Sequence, residues 1–426
     1  GYIVTSQGGF IMTKQLSVTL LSILLVLIVL FGVFTFLPDN ISYGDYGVFH
    51  APANLIQKGP DIGPSVTATY SVDTTDLEEG VLENVDNIVT TRLNKMFNYY
   101  GLPVVLEGNK LSVTVPQTAN EEKTDAKTII ETVVAEGKIE FLPSQEYSES
   151  NVVLSNYGET KYFSNVSTSN YVNGANKYYI VNVSLTSEGK ELASEKFTAS
   201  TTSWGAYCAV DGIVTYGAVY SNDTLQIYTS SKEQAVALAT YINYGSLQTT
   251  LTETGYENVD SSIPSASLIF GIATLVLIVA VALALLIKYG VNGVAGILSL
   301  LISALVFTIF SGLVYFSVFN LYAWIGVVLG LALISSLTFY SLGKVKYYQL
   351  AGNGNKYARK TGFNSSLIRT LIVNLCVLVV GVILWVIPTG VTLGLGNSLV
   401  YSAVLSMIFT LGLNRVFVSM LAPLSK

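Results

Sequence analysis

The placement of its carboxylates constrains this chain more than any other feature of its sequence. All 28 aspartates and glutamates lie between Asp39 and Asp260, together with 12 of the 22 basic residues, so this window has a net charge of −16. The remainder carries ten lysines and arginines and no acid. Because a charge is costly inside the hydrocarbon of a bilayer, the long uncharged stretches outside the window predict membrane helices. We therefore expect an acidic, water-exposed domain joined to an apolar, weakly basic membrane domain.

The gaps between charged residues predict six membrane helices, since about 20 apolar residues cross the hydrocarbon core. The two longest gaps are each wide enough for two helices. The gaps run from Lys14 to Asp39, Asp260 to Lys288, Lys288 to Lys344 and Arg369 to Arg415. The predicted spans are residues 15–38, 265–287, 294–316, 321–343, 366–388 and 394–422. The last five form a membrane domain over residues 265–426.

Lysine and arginine in the short loops predict the orientation, because they concentrate on the cytoplasmic side. Lys14, Lys288, the cluster Lys344–Arg369 and Lys426 all fall on one side of the six spans. Both termini, including a segment over residues 1–14, are therefore expected in the cytoplasm, and residues 39–264 outside a bacterial plasma membrane. The alternative for the first span is a cleaved signal peptide. Its long apolar run and the lack of a small-residue cleavage site favour a retained anchor.

Strand and helix signals alternate through the acidic window and predict an α+β domain. Strand patterns occupy residues 65–72, 103–106, 110–116 and 138–143, and helical spacing occupies residues 76–100 and 120–136. The order β-α-β-β-α-β is the ferredoxin-like pattern. We assign it to a base over residues 39–145, closed by the strand at 138–143.

A second, smaller subdomain is predicted after the base. Residues 144–177 are polar and rich in serine, asparagine and tyrosine. Strand and helix signals then resume, with a hairpin that turns at Asp211-Gly212. The head spans residues 146–230, and residues 231–264 return the chain to the base and link it to the membrane domain.

Composition excludes several classes of function. Nucleic-acid binding needs a basic surface, which a window with a net charge of −16 lacks. A metal site is not expected, since the only thiols are Cys208 and Cys376 and the only histidine is His50. No set of nucleophile, histidine and carboxylate stands out. We therefore expect neither an enzyme nor a bound cofactor.

Five segments carry recognisable motifs in a fixed order. They are Gly59-Pro-Asp-Ile-Gly63, Ile88–Gly101, Gly137–Phe141, Ala209–Val214 and Glu233–Ala239. In order, spacing and the layout of one span, a large domain and five spans, they resemble SecD, an accessory subunit of the bacterial Sec translocase. Gly59, Asp61 and Gly63 correspond to a shortened form of the family's Gly-Leu-Asp-Leu-x-Gly-Gly. The resemblance covers essentially the whole chain and implies that it handles an unfolded translocating polypeptide, beside a SecF-like subunit, the Sec channel and the lipid bilayer.

SecD belongs to the resistance–nodulation–division type of transporter, and the resemblance implies a proton relay of carboxylates in the fourth and fifth spans. Gly330 begins the matching stretch of the fourth span. Ile334 stands at the family's Asp position, Ser336 at its Asn position and Ser341 at its Glu position.

In the fifth span Arg369 and Thr370 match the start of the family motif. Val373 takes the Asp place, and Asn374 resembles a shifted remnant. No carboxylate remains at any of these positions, so the relay is predicted to be lost.

Three functions follow from these observations. The first is a SecD-like export subunit without its own proton relay. The second is a structural or scaffold subunit that kept the fold and abandoned transport. The third, an efflux homologue for small molecules or lipids, is the least favoured, because it needs the same membrane acids. Six tyrosines in the polar stretch and at the start of the head are candidates for contact with a polypeptide. The favoured interpretation is that these tyrosines occupy solvated loops and strand edges. The six are Tyr147, Tyr157, Tyr162, Tyr171, Tyr178 and Tyr179.

Overall fold

The computed structural model describes residues 13–37, 41–42, 48–49, 51–75, 77, 80–117, 125–158, 161–173, 176–200, 203–263, 265–313, 318–387 and 390–424. It divides into two compact units. The membrane unit comprises Gly1–Gly63 and Asp260–Lys426, and the sheet unit comprises Pro64–Val259. The two are described separately.

The helices, in chain order, are α1 (Lys14–Phe36), α2 (Val81–Phe97), α3 (Ala126–Val134), α4 (Ser187–Lys196), α5 (Lys232–Tyr244), α6 (Ala266–Tyr289), α7 (Val291–Leu313), α8 (Leu321–Leu350), α9 (Asn355–Val386), α10 (Gly390–Ser406) and α11 (Asn414–Leu421). The strands are β1 (Ile41–Ser42), β2 (Val48–Phe49), β3 (Ser65–Val72), β4 (Val104–Glu107), β5 (Lys110–Pro116), β6 (Ile139–Leu142), β7 (Leu154–Ser155), β8 (Phe163–Asn173), β9 (Asn176–Leu185), β10 (Ala206–Val210), β11 (Ile213–Ser221), β12 (Thr224–Thr229) and β13 (Leu251–Val259).

Within the described residues, six helices of the membrane unit are long and apolar enough to cross a bilayer, as the charge gaps predict. Helix α8 continues to Leu350 and α9 begins at Asn355, so both extend beyond the predicted limits of 343 and 366. The difference has a physical cause, because lysine and arginine end the uncharged stretch but continue a helix readily. The sixth span is α10, a π-helical segment at Met407–Leu413, and α11.

A four-stranded antiparallel sheet forms the base of the sheet unit, in the order β13-β3-β5-β4. Alternate residues of β3, from Val66 to Val72, are buried, as expected for a strand with one face on a core. Helices α2 and α3 pack on this sheet and bury Val85, Val89 and Ile129. The element order β3-α2-β4-β5-α3-β13 retains the ferredoxin-like pattern.

The prediction that residues 138–143 form the closing strand of this base is wrong. Residues 138–143 do contain a strand, β6, but it pairs with β7 and β10 in the second sheet. The closing strand is instead β13, which pairs antiparallel with β3 over its whole length. The head is therefore an insertion between α3 and the last strand of the base. Local patterns do not reveal strand pairings across such an insertion.

The second sheet has seven antiparallel strands in the order β7-β6-β10-β11-β12-β9-β8. Its core lies between one face of the sheet and helices α4 and α5. The hairpin predicted at Asp211-Gly212 is confirmed, with Val210 opposite Ile213 and positive φ angles at both turn residues. The polar stretch over residues 144–177 contains the long strand β8. It is an edge strand of the sheet, and Ser167, Ser169 and Asn170 are among its exposed residues.

Candidate functional site

The Gly59–Gly63 motif anchors the starts of two membrane helices. The Gly59 N–H donates to the carbonyl of Phe319 at 2.8 Å, just before α8. The carbonyl of Asp61 accepts from the N–H of Ile263 at 3.1 Å, just before α6. The N–H groups of Ile62 and Gly63 both donate to the carbonyl of Gly59, which folds the motif into a compact turn.

Asp61 is the charged side chain of this turn, and it caps the start of α8. One carboxylate oxygen, Oδ2, accepts from the N–H of Leu321 at 2.6 Å, at the first residue of α8. A carboxylate at a helix N-terminus is stabilised by the unpaired N–H groups and by the helix dipole. The other oxygen, Oδ1, is buried and has no protein hydrogen-bond partner. The motif therefore acts as a charged cap for α8.

The five positions that the resemblance assigns to a lost relay have different environments. Ile334 and Ser341 are buried in α8, whereas Ser336 is exposed and its hydroxyl donates to the Ala332 carbonyl. On α9, Val373 is half-buried and Asn374 is fully buried. The Asn374 amide donates to the Thr370 carbonyl at 2.9 Å, and its Oδ1 has no protein partner. Only part of the predicted set therefore lies in the interior.

Close helix contacts give the depth of these residues. Gly326 and Gly330 of α8 lie directly against Ser398 and Ser402 of α10, with no room for a Cβ atom. The two contacts have the same offset, so α8 and α10 run side by side in the same direction. One further turn places Ile334 at the depth of Ser406.

Helix α9 reaches the same level from the other side. Gly381 lies against Val400, and Gly396 lies against Trp385, so α9 and α10 are antiparallel. Extending this register by two turns places Asn374 at the depth of Ser406. Three helices thus place one residue each at the same depth in the bundle: Ile334, Asn374 and Ser406. Ser341 lies about two turns away along α8.

A stripe of small polar residues, missed in the sequence, fills this interior. It consists of Ser398, Ser402, Ser406, Thr410 and Asn414, each at least nine-tenths buried. The spacing of four residues, which places each member one turn from the next on the same side of the helix, was the available signal. The stripe continues through the π-helical segment, a distortion that is frequent at functional sites.

Several polar atoms in the same interior have no protein hydrogen-bond partner. They are Ser299 Oγ, Thr338 Oγ1, Thr370 Oγ1, Asn374 Oδ1, Ser406 Oγ and both side-chain polar atoms of Asn414. None of these side chains titrates near neutral pH. The interior is therefore polar but uncharged, and it offers hydroxyl and amide groups without a carboxylate.

An apolar cavity of about 620 Å³ lies among α1, α6, α7 and α8. Its walls include Trp324, which stacks on Phe270 at 4.4 Å and donates its indole N–H to Thr274 at 3.0 Å. Ile334 and Ser402 form part of its floor, and Lys58 is its one charged lining residue among the described positions. Apart from Lys58 and a few hydroxyl groups the described lining is apolar, which suits an apolar chain.

The six predicted tyrosines separate into three groups. Tyr171 and Tyr178 are cross-strand partners on β8 and β9 and are 51% and 37% exposed. Tyr157 is also exposed, and the ammonium of Lys138 lies 5.3 Å from its ring centroid. Tyr162 and Tyr179 pack against the core beneath the sheet. Exposure therefore favours the first three as contact residues.

Tyr147 belongs to an ionic cluster around the buried carboxylate of Glu140 on β6. Its hydroxyl donates to Oε2 of Glu140 at 2.8 Å, while Lys138 forms a 2.8 Å ion pair with Oε1. The hydrogen bond to Glu140 raises the pKa of Tyr147 above its ordinary value. Burial, with a smaller contribution from Asp211, raises the pKa of Glu136 nearby. Tyr147 is therefore held in place and is not free to contact a polypeptide.

Trp204 is an aromatic residue that the sequence reasoning missed. It is 49% exposed, lies against Gly217 of β11 and meets Tyr228 of β12 edge to face at 5.7 Å. Strand pairing places Tyr228 beside Ile180, on the same face as Tyr178. This face, opposite the α4–α5 layer, combines exposed aromatic rings with serine, asparagine and glutamine side chains. We call it the open face.

Metal and thiol chemistry is not supported among the described residues. No group of three His, Cys, Asp or Glu side chains in this part of the chain is placed to hold a metal ion. Cys208 is fully buried, and burial raises the pKa of its thiol far above the ordinary value. Cys376 is exposed on α9 in the other unit. His50 lies outside the described residues.

Comparison with known proteins gives a structural match without a sequence match. No protein-family model matches the chain, and no curated protein matches it. The crystal structure of SecDF in its super-membrane-facing form matches with a TM-score of 0.71 at 17% identity, covering 96% of this chain and 58% of that one. SecDF from Thermus thermophilus covers similar shares, 96% and 59%, at 17% identity with a TM-score of 0.48.

The chain thus spans a little under three-fifths of the length of the SecDF chains that it matches. The match runs through both units, from the first membrane helix to the last. It agrees with the layout of one span, an inserted α+β domain and five spans. The chain therefore has a SecD-type fold.

Proposed function

We propose that this protein is a non-enzymatic accessory subunit of a protein-export machinery, which holds polypeptide segments on the outer side of a bacterial plasma membrane. The observation that carries the proposal is the SecD-type fold over 96% of the chain, with its large sheet unit inserted between the first and second spans. Because basic residues concentrate on the cytoplasmic side, both termini are assigned to the cytoplasm and the acidic sheet unit to the outside.

The open face supplies the physical means of holding a polypeptide. Tyr171, Tyr178 and Trp204 present apolar surface with polar edges, which suits segments of varied sequence. Asn182 and Gln226, hydrogen-bonded to each other at 3.2 Å, lie on the same face and add amide groups. The edge strand β8 offers backbone groups to an extended segment, as in β-strand addition.

Energy coupling is assigned to a partner. No residue after Asp260 is acidic. At the level of Ile334 and Asn374, the described interior of the membrane unit holds hydroxyl and amide groups. A SecF-like subunit and the Sec channel are the proposed partners. The chain itself would then provide the polypeptide-holding surface without a proton relay.

Site-specific photocrosslinking tests this proposal. A benzoylphenylalanine at position 178 or 204 should crosslink to a secretory protein stalled during export. Lys190 on α4 is the control, because it is exposed but lies on the helix layer that covers the opposite face. Equal crosslinking at all three positions, or none to the stalled chain, would contradict the proposal. Crosslinks to one constant protein, whether or not export occurs, would instead support the scaffold function.

A further inference from the structure

The basic end of the membrane unit, where α6 and α8 terminate, carries an unusual arrangement of cations and aromatic rings. Lys288 Nζ lies 5.5 Å from the centroid of the Tyr289 ring and 5.7 Å from that of Phe339. Lys346 Nζ lies 5.9 Å from the same Tyr289 ring. Two exposed ammonium groups from two helices therefore share one aromatic ring.

The arrangement is held by defined contacts. The Tyr289 hydroxyl donates to the Phe339 carbonyl at 2.9 Å, which fixes the ring against α8. Lys346 donates to the carbonyl of Lys288 at 2.8 Å and so bridges the ends of α6 and α8. An ammonium group has three donors, so Lys346 retains two for a ligand.

No acidic side chain of this chain is available to neutralise these cations. The sequence has no aspartate or glutamate after Asp260 and none before Asp39. The acids of the membrane unit adjoin the other ends of α1 and α6, one bilayer crossing away from Lys288. The counter-charge must therefore come from another molecule.

The apolar surroundings indicate what kind of molecule this is. Leu283, Leu286 and Ile287 project from α6 immediately before Lys288, and Ile287 is 84% exposed. Such residues at the end of a membrane helix face acyl chains. A ligand that touches both groups needs an anionic head and an apolar tail.

We propose that Lys288, Tyr289 and Lys346 form a binding site for the phosphodiester headgroup of an anionic membrane phospholipid, whose acyl chains lie along α6. The two ammonium groups contact the phosphate, and both lie within 6 Å of the centroid of the Tyr289 ring. Basic recesses between membrane helices bind anionic headgroups in this way. A free phosphate would satisfy only the charges and would leave the apolar surface without a contact.

Thermal unfolding of the full chain in detergent, with added lipid, tests the site. Dioleoylphosphatidylglycerol should raise the melting temperature by about 2–4 °C through preferential binding to the folded state. Dioleoylphosphatidylcholine and inorganic phosphate at the same concentration should not. The double variant K288Q/K346Q should lose most of the rise.

The matched control is K356Q/K360Q, which removes two exposed lysines from the first turns of α9. It should keep the response to phosphatidylglycerol. If both double variants lose it equally, the effect is diffuse electrostatics and the site is refuted. A wild-type response to phosphate as large as to phosphatidylglycerol would also refute it. If K288Q/K346Q is unstable without lipid, K288R/K346R should retain the lipid response, and its failure to do so would contradict a site based on charge.

Discussion

Replacement of Arg92 by methionine should destabilise the sheet unit more than any surface change. Arg92 is fully buried on α2, and its guanidinium donates to the carbonyls of Val133, Ala135, Glu136 and Gly245. These carbonyls lie in the last turn of α3, just after α3 and just after α5, so one side chain joins three helices. Methionine fills a similar volume but leaves these acceptors without their donors.

The magnitude follows from the loss of the charged donor. Burial lowers the pKa of Arg92 to about 10, so the side chain remains a cation at neutral pH. Its contacts are with carbonyl dipoles and with the ring of Tyr241 at 4.7 Å, and no carboxylate forms an ion pair with it among the described residues. A buried acceptor that loses its donor costs about 1–3 kcal/mol; four carbonyls lose theirs here, while the cost of burying the guanidinium charge is removed, which leaves a net loss of about 3–5 kcal/mol. We expect Arg92→Met to lower the free energy of unfolding by this amount.

Urea unfolding followed by tryptophan fluorescence measures the effect. The chain has three tryptophans, and Trp204 is the one in the sheet unit. Changing Trp324 and Trp385 to phenylalanine in every protein leaves Trp204 as the reporter. The matched control is Lys95→Met, an exposed position on the same helix, which should change the free energy by less than about 0.5 kcal/mol. A loss below about 1 kcal/mol for Arg92→Met would refute the reasoning.

Three further predictions concern both units. Gly330→Ala should lower the melting temperature, because a Cβ atom there overlaps Ser402, at a cost of about 1–3 kcal/mol; Ser402→Gly in the same chain should restore it. Asp61→Asn should weaken the cap on α8 by about 1 kcal/mol, seen as faster hydrogen exchange at Leu321, and unchanged exchange would contradict the capping role. Burial, with smaller contributions from Glu253 and Glu131, raises the pKa of Tyr70 from 10.0 to about 12, so the unfolded state ionises first. Stability should be full below pH 10 and fall as pH rises from 10 to 12, by at most about 3 kcal/mol for this group; the Tyr70→Phe protein should show a shallower decline, and an identical slope would exclude Tyr70 as a cause.

The membrane helices were predictable because their signal is local. A charge in hydrocarbon is costly wherever it occurs, so the gap between Asp260 and Lys288 reports α6 without knowledge of any contact. The base sheet was only partly predictable. Strands β3, β4 and β5 lie close together in the chain, but β13 pairs with β3 across the whole inserted head. Sequence patterning shows that a segment is a strand and does not show which partner it chooses.

The candidate site was also only partly predictable, for the same reason. The absence of carboxylates at Ile334 and Val373 is visible in the sequence, although their assignment to a relay stays a prediction. The polar stripe was also visible as residues four apart, and only its interpretation was missing. Burial, by contrast, depends on tertiary packing. Tyr162 and Tyr178 have similar sequence surroundings, yet one packs on the core and the other is exposed.

The uncharged polar stripe bears directly on how such a protein works. Ser398 and Ser402 each lie against a glycine of α8, and small side chains are what permit this close approach. Close helix packing therefore explains why Ser398 and Ser402 are small, and no transported ion is needed to explain them. Ser406 continues the stripe to the level of Ile334 and Asn374, and Thr410 and Asn414 continue it one and two turns beyond; these side chains form hydrogen bonds but neither gain nor lose a proton at neutral pH. Under the proposed function, a proton gradient would find no titratable side chain at the level of Ser406, which is why energy coupling is assigned there to a partner.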